Sequence, residues 1–302
     1  MIKSSILMMV ITSDTYPANR NTRFQKKIYS KVGPSNFIVW YKGNKDLQNK
    51  NVKYMLDDRD LLLDCSDDTR SMGKKTLLAF EWALEHVDFE YLVRPTPSSY
   101  VNLEFFKDLN LDTRFQIPVV YAGTVQKKPN LNNDFFEFVS GSTLILNKKC
   151  VEIIVKNKNL WNHELWDDVA LADLMNQLSI KPLDIQRFDV KGNIFKQNID
   201  LNNYQYRCRA DNHYNYPRII EANLLTIIHD LITNHKITKI KKFFYYFYFE
   251  ILKIFYIREF IWKIYLATRK ILKLILPTYL YRKLKKVLQN NLVTFKHKRF
   301  KY

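Results

Sequence analysis

LVRPTPSSYVNLEFF, residues 92–106, ends a short apolar strand (Phe89 to Val93), stops at Pro95 and Pro97, and restarts as a helix near Asn102. A strand end, an irregular turn and a following helix are where an open α/β sheet places its ligand, because the carboxyl ends of its strands line a crevice. The turn carries Arg94, Thr96, Ser98 and Ser99 and no acid.

Outward from this turn, apolar residues fall at helical spacing over Thr76–Val87 (Leu77, Phe80, Ala83, Leu84, Val87). Further upstream, apolar runs predict strands over 5–12, 37–41 and 52–55, and Leu61 to Leu63 is a further short apolar piece. A helix is expected between the first two, capped by Asn19 or Asn21 and running to about Lys31, before Val32-Gly33-Pro34 breaks it. Downstream, strands are expected over 117–122 and 136–146, the latter interrupted by Ser140-Gly141-Ser142. Helices follow over 148–156, 166–178 and 219–234, with an edge strand at 180–184 weakened by Pro182. Strands alternating with helices predict an α/β fold, a mostly parallel sheet flanked by helices.

The 302 residues are 47% hydrophobic, which suits a packed core, and only six are glycine, which excludes repeat and low-complexity architectures. Three cysteines, Cys65, Cys150 and Cys208, show no metal-ligand spacing and read as reduced thiols. The N-terminal apolar run, Ile6 to Ile11, is short and has no cleavage site after it, so it reads as a buried first strand and not as a signal peptide. The net charge of +18 is uneven: residues 236–302 hold 18 Lys and Arg against Glu250 and Glu259, and residues 1–235 are almost balanced. A shift this sharp predicts a body over 1–235 and a basic helical extension over 236–302.

Four segments occur in an order shared with one family. They are DDTRSMGKKTLLAFEWAL (67–84), EYLVRPTPSSYVNLEF (90–105), FVSGSTLILNKKCVEII (138–154) and WDDVALADLMNQL (166–178). Together they resemble the blocks of glycosyltransferase family 31, the β1,3-galactosyltransferase and Fringe-like enzymes of the GT-A (Rossmann-like) fold. Asp67, Arg70, Lys75, Thr76 and Trp82 keep the register of its first block, and Tyr100-Val101-Asn102 match the end of its second. Ser140-Gly141 match the third, and Asp167-Asp168-Val169 stand where the fourth has Glu-Asp-Val.

The resemblance implies transfer of a hexosyl group from a nucleotide-sugar, a UDP-sugar by this family's habit, to a glycan or lipid-linked acceptor with inversion. It implies that Asp168 is the general base, with Asp167 its neighbour or substitute; a plain helix cap is the competing reading of the pair. It also places Arg20, Arg23 and Asp67 toward the nucleotide. The family's acidic triplet, which holds a divalent metal on the donor diphosphate, is replaced by Thr96, Pro97 and Ser98. Hydroxyls do not replace charged oxygen ligands for Mn or Mg. No cofactor is therefore expected, and cationic side chains are expected to meet the diphosphate. Candidates are Arg94, Lys74 or Lys75, and Arg207, Arg209 and His213 in YRCRADNH, a stretch that also reads as a solvated loop. The alternative from another class is an inactive GT-A-like scaffold or glycan-binding module.

The tail breaks once at Pro277, and its longest uncharged runs, 243–249 and 274–281, fall far short of the ~20 residues that span a bilayer. From Arg258 to Leu276 the charges fall on one helical arc and large aliphatics elsewhere. This predicts an amphipathic helix on an anionic membrane surface, peripheral and at the cytoplasmic face. Interleaved aliphatics without glycine argue against nucleic acid; a helical partner surface is the third reading.

Overall fold

The structure is a computed structural model that describes residues 1–31, 35–106, 117–129, 135–190, 192–210, 218–233 and 243–251. The chain divides into two compact units, Met1–Tyr246 and Phe247–Tyr302, later than the charge shift at Lys236. In the second unit only 247–251 are described, so the expected break at Pro277 and the charged arc from Arg258 lie outside the described residues. His213 does as well.

In chain order the first half contains β1 (Ile2–Ile11), α1 (Ala18–Ile28), β2 (Asn36–Gly43), the single-turn α2 (Asp46–Asn49), β3 (Tyr54–Asp57), β4 (Asp60–Leu63), α3 (Met72–His86), β5 (Val87–Pro95) and β6 (Ser99–Val101). The second half contains β7 (Tyr121–Gly123), β8 (Val125–Pro129), β9 (Phe135–Val139), β10 (Thr143–Asn147), α4 (Lys148–Lys156) and α5 (Asp167–Gln177). It ends with β11 (Leu183–Asp184), β12 (Phe188–Asp189), β13 (Gln205–Arg207) and α6 (Glu221–Ile232).

The fold is mixed α/β. Eight strands form one sheet in the order β11-β7-β10-β5-β1-β2-β4-β3. β1 lies at its centre and is buried from Ile6 to Ile11 because parallel neighbours, β2 and β5, flank it and helices cover both faces. Leu7, Met9 and Ile11 join the core beneath α3, α4 and α5. On the other face Trp40 Nε1 donates to Gln25 Oε1 of α1, and α6 packs on α1.

Four of the seven pairings in this sheet are parallel and three are antiparallel. β10 runs antiparallel to both β5 and β7, and β3 antiparallel to β4. The predicted strand over 136–146 is two strands in different sheets, β9 paired with β8 and β10 in the main sheet, turning at Ser140–Ser142. Where a helix is expected from Asn102, Leu103–Phe106 form a 3₁₀ turn, and its continuation over 107–116 lies outside the described residues. Neither asparagine caps α1: Pro17 holds the N-cap position, and both lie inside the helix. All three cysteines are buried free thiols, and burial pushes them up, Cys65 to about 11. Among the described residues no helix is long and apolar enough to cross a membrane.

Asn21 is buried for a tertiary reason: its Nδ2 donates to Glu221 Oε2 at 2.6 Å. Glu221, itself fully buried, also accepts from Ala210 N–H at 3.0 Å and Arg218 Nε at 2.7 Å. Burial raises its carboxyl above the ordinary 4.5, against the pull of Arg218. The stability due to the protonated form is complete below the ordinary value and lost as pH rises through the raised one. Urea midpoints of the wild type should therefore fall relative to Glu221→Gln as pH rises above the ordinary 4.5. A constant difference between the two proteins would show that Glu221 does not titrate there.

Candidate active site

β1, β2, β4 and β5 are parallel, so their carboxyl ends share one edge of the sheet. From β1 the chain winds to β2 and β4 on one side, then returns through α3 to β5 on the other. The strand order reverses beside β1, which opens a crevice between the segments after β1 and β5.

On the β2 side, Asp67 organises the crevice wall. Its Oδ2 accepts the Asp14 N–H at 3.0 Å, and its Oδ1 accepts the Gly43 N–H at 3.2 Å and Lys75 Nζ at 3.1 Å. Lys75 is only 3% exposed. The sequence predicts that it meets a phosphate; instead its charge is matched internally by Asp67. Arg20 and Arg23 lie on α1, Arg20 half-buried with its guanidinium 5.9 Å from the Phe24 ring and Arg23 exposed.

On the β5 side, the turn is stitched to the loop before β10. Ser142 O accepts both the Thr96 N–H and Ser99 Oγ, each at 2.9 Å. Gln25 Nε2 donates to Ser99 O at 2.8 Å, Gln205 Nε2 to Ser99 Oγ at 2.9 Å, and Cys208 N–H to Ser98 O at 2.7 Å. β13 pairs antiparallel with β6, setting Arg207 opposite Ser99. Arg207 and Arg209 thus flank the residue bonded to Ser98, Arg207 half-buried and Arg209 exposed.

Arg94 corrects the expectation drawn from its place in the turn. It is fully buried and makes an ion pair with Asp167. Its Nε donates to Tyr41 Oη at 3.1 Å, Nη1 to Gly141 O at 2.9 Å and Nη2 to Thr76 Oγ1 at 3.4 Å. With its fork spent inside the core, Arg94 is not available to clamp a phosphate. Asp167, 4% exposed, is likewise committed and cannot substitute as a base facing solvent.

Asp168 is differently placed. It is half-buried, and its Oδ2 accepts the Gly141 N–H at 2.8 Å while Oδ1 accepts its own turn's Val169 N–H at 3.0 Å. A Cβ on Gly141 would sit 2.9 Å from Asp168 Oδ2, so glycine is what lets the carboxylate dock there. The structure therefore gathers Arg94, Thr96, Ser98, Asp167 and Asp168 into one neighbourhood, with Arg207 and Arg209 on the adjoining strand segment.

A divalent cation does not fit this turn. Thr96 Oγ1 lies 3.4 Å from Ser98 Oγ and 3.1 Å from Ser99 Oγ, so neutral hydroxyls bond one another where charged oxygens would be needed. Among the described residues no three His, Cys, Asp or Glu side chains gather to hold a metal.

One member had no sequence signal. Arg187 is buried with Nε on Asp189 Oδ1 at 2.7 Å and Nη1 on Ser142 Oγ at 3.0 Å. It stands between two-residue strands without periodicity. Two concavities of about 350 and 530 Å³ open at the opposite ends of the strands, beside Ser4 and Glu90 and beside Tyr54 and His86. Neither is lined by the turn or by Asp168, and neither gathers comparable chemistry.

Removing one partner of a buried pair strands the other's charge. Arg94→Leu should cost about 3–5 kcal/mol in urea unfolding, and adding Asp167→Leu should recover a large part of it. A double variant as weak as the sum of the singles would show that the pair is not coupled.

No family model matches this sequence, and no curated protein does. Among solved structures the chain is similar to a glycosyltransferase involved in glycosylation of the major capsid of PBCV-1, with TM-score 0.42 and 10% identity over 74% of this chain and 99% of that one. It is similar to the glycosyltransferase GlyE of Streptococcus pneumoniae TIGR4, with TM-score 0.42 and 9% identity over 77% of this chain and 64% of that one. It is similar to the galactosyltransferase LgtC, with TM-score 0.38 and 11% identity over 75% and 96%. The bifunctional IspDF of Campylobacter jejuni also aligns, with TM-score 0.34 and 12% identity over 61% and 50%. Likenesses at these scores decide nothing about chemistry, and the site stands on its own geometry.

Proposed function

We propose that the chain is a GT-A-like glycosyltransferase that moves a hexosyl group from a UDP-sugar to a glycan or lipid-linked acceptor, with inversion. The observation that carries this reading is the convergence at the sheet's carboxyl edge. The hydroxyl turn after β5, the Ser140–Ser142 loop and the Asp168 carboxylate are joined there by the bonds at Ser142 O and Gly141 N. The order of the four sequence blocks adds the resemblance to family 31.

In this reading the acceptor hydroxyl oxygen attacks the sugar's anomeric carbon, Asp168 takes the hydroxyl proton, and the nucleoside diphosphate leaves. Arg207 and Arg209, beside Ser98 and Ser99, and Arg20 and Arg23 on α1 supply positive charge to the leaving diphosphate. Asp67 holds the wall toward the base. No step is assigned to a metal, because Thr96 and Ser98 are a poor cation site. The scaffold reading has one observation in its favour: Lys75 and Arg94 are both paired internally.

Membrane docking belongs to the same proposal. Residues 243–251 are helical, and Phe243, Phe244 and Phe247 are 65%, 63% and 56% exposed. Exposed rings within a tail of net charge +16, residues 236–302, fit an anionic lipid surface, at the cytoplasmic face.

Transfer from UDP-hexoses should persist in EDTA and fall by about 10²–10⁴ in Asp168→Asn, with UDP binding retained. Full turnover in that variant would remove Asp168 as base; activity lost to EDTA and restored by manganese would overturn metal independence. UDP binding without transfer to any acceptor would favour the scaffold.

In flotation assays the full chain should rise with phosphatidylserine vesicles and much less with phosphatidylcholine ones. Phe243→Ser combined with Phe244→Ser should weaken that association. Absence of binding to either lipid would refute the docking.

A further inference from the structure

Trp166 departs from the other described tryptophans. Trp40, Trp82 and Trp161 are 1%, 2% and 4% exposed, while Trp166 is 61% exposed. An indole carries one of the largest apolar payloads of any side chain, and here most of that surface is open to a ligand.

It cannot withdraw. Its carbonyl accepts the Ala170 N–H at 2.7 Å, which fixes it as the opening residue of α5. The next residue, Asp167, is pinned in the core by Arg94, and the one after, Asp168, is docked on Gly141. Before it, Asn162 closes a tight turn, its Oδ1 accepting the Glu164 N–H at 3.0 Å and its carbonyl the Leu165 N–H at 3.4 Å. The indole is thus held in the open two residues from the Asp168 carboxylate, with Leu165, 38% exposed, beside it in sequence.

The surrounding chemistry selects the ligand. In a chain with 48 Lys and Arg, the segment LWNHELW, residues 160–166, has none, and its Asn162, His163 and Glu164 are exposed. Nothing in the segment favours a phosphate, a nucleic acid or an anionic headgroup. A broad apolar ring surrounded by neutral and acidic hydrogen-bonding groups matches a neutral pyranose, which offers one face of C–H bonds and an edge of hydroxyls.

We propose that Trp166 is the platform on which a neutral pyranose of the acceptor stacks, setting its hydroxyl toward Asp168. The role rests on the transferase reading for its purpose but not for its binding. Saturation-transfer NMR on the full chain with methyl β-D-galactopyranoside, methyl β-D-glucopyranoside and lactose reads the stacking directly. Ring C–H signals should appear with the wild type, persist in Trp166→Phe, and drop about fivefold or more in Trp166→Ala, with UDP binding and thermal unfolding unchanged.

In transfer assays Trp166→Ala should raise the acceptor KM by about tenfold and leave the donor KM and kcat near wild type. If the sugar signals vanish in Trp166→Ala while the wild type transfers nothing, the platform stands and the transferase is overturned. Equal sugar signals in wild type and Trp166→Ala, no signal with any of the three sugars, or a Trp166→Ala effect on vesicle flotation alone would overturn the platform.

Discussion

The Arg94–Asp167 ion pair is sealed from water on both sides, with side chains 0% and 5% exposed. Two charges are moved from water into the core only if geometry and further hydrogen bonds offset their desolvation. Here they do so by recruiting neighbours from every direction. Tyr41 of β2, Thr76 of α3 and Gly141 before β10 all bond the same guanidinium. The start of α5 is thereby tied to the carboxyl end of β5. The consequence falls on the next residue: Asp168 faces Gly141 because Asp167 has been drawn inward. A buried strut thus fixes the direction of an accessible carboxylate.

β1, β2, α3 and β5 were legible because apolar runs and helical spacing leave few alternatives there, whereas the short α2 and β6 have no such pattern. The direction of β10 was not legible, since a buried run such as Leu144-Ile145-Leu146 reads the same either way along the sheet. At α1 the local capping preference of asparagine lost to a tertiary bond, because Asn21 satisfies the buried Glu221. Among the candidate residues, the block order points to Asp168 and the hydroxyl turn, and the structure brings both to the Ser140–Ser142 loop. Arg94 could not be read correctly. An arginine among prolines and hydroxyls looks solvent-facing, and only its distant partner on α5 shows that it is interior. Lys75 misled for the same reason, its partner Asp67 being read for a different task.

The inward pairing of these two cations changes how charge is distributed along the crevice. Lys75 is neutralised by Asp67 on the β2 side, and Arg94 by Asp167 beneath the β5 side. The arginines of α1 and of the segment around Cys208 lie apart from these pairs. That segment reaches the turn through the bond from Cys208 N–H to Ser98 O, and Arg207 O accepts the N–H of Val190, just after β12. Arg187 supports the same junction from below through Ser142.

The three thiols make each part of this assembly separately observable. Cys65 follows β4 on the β2 side of the crevice, Cys150 lies in α4, and Cys208 sits behind the hydroxyl turn, each at most 2% exposed. A thiolate forms and reacts only when its surroundings part, since burial holds all three protonated. Their alkylation rates are therefore clocks for three local openings. The chain carries, in its own composition, a readout of whether the wall, the helix layer or the turn loosens first.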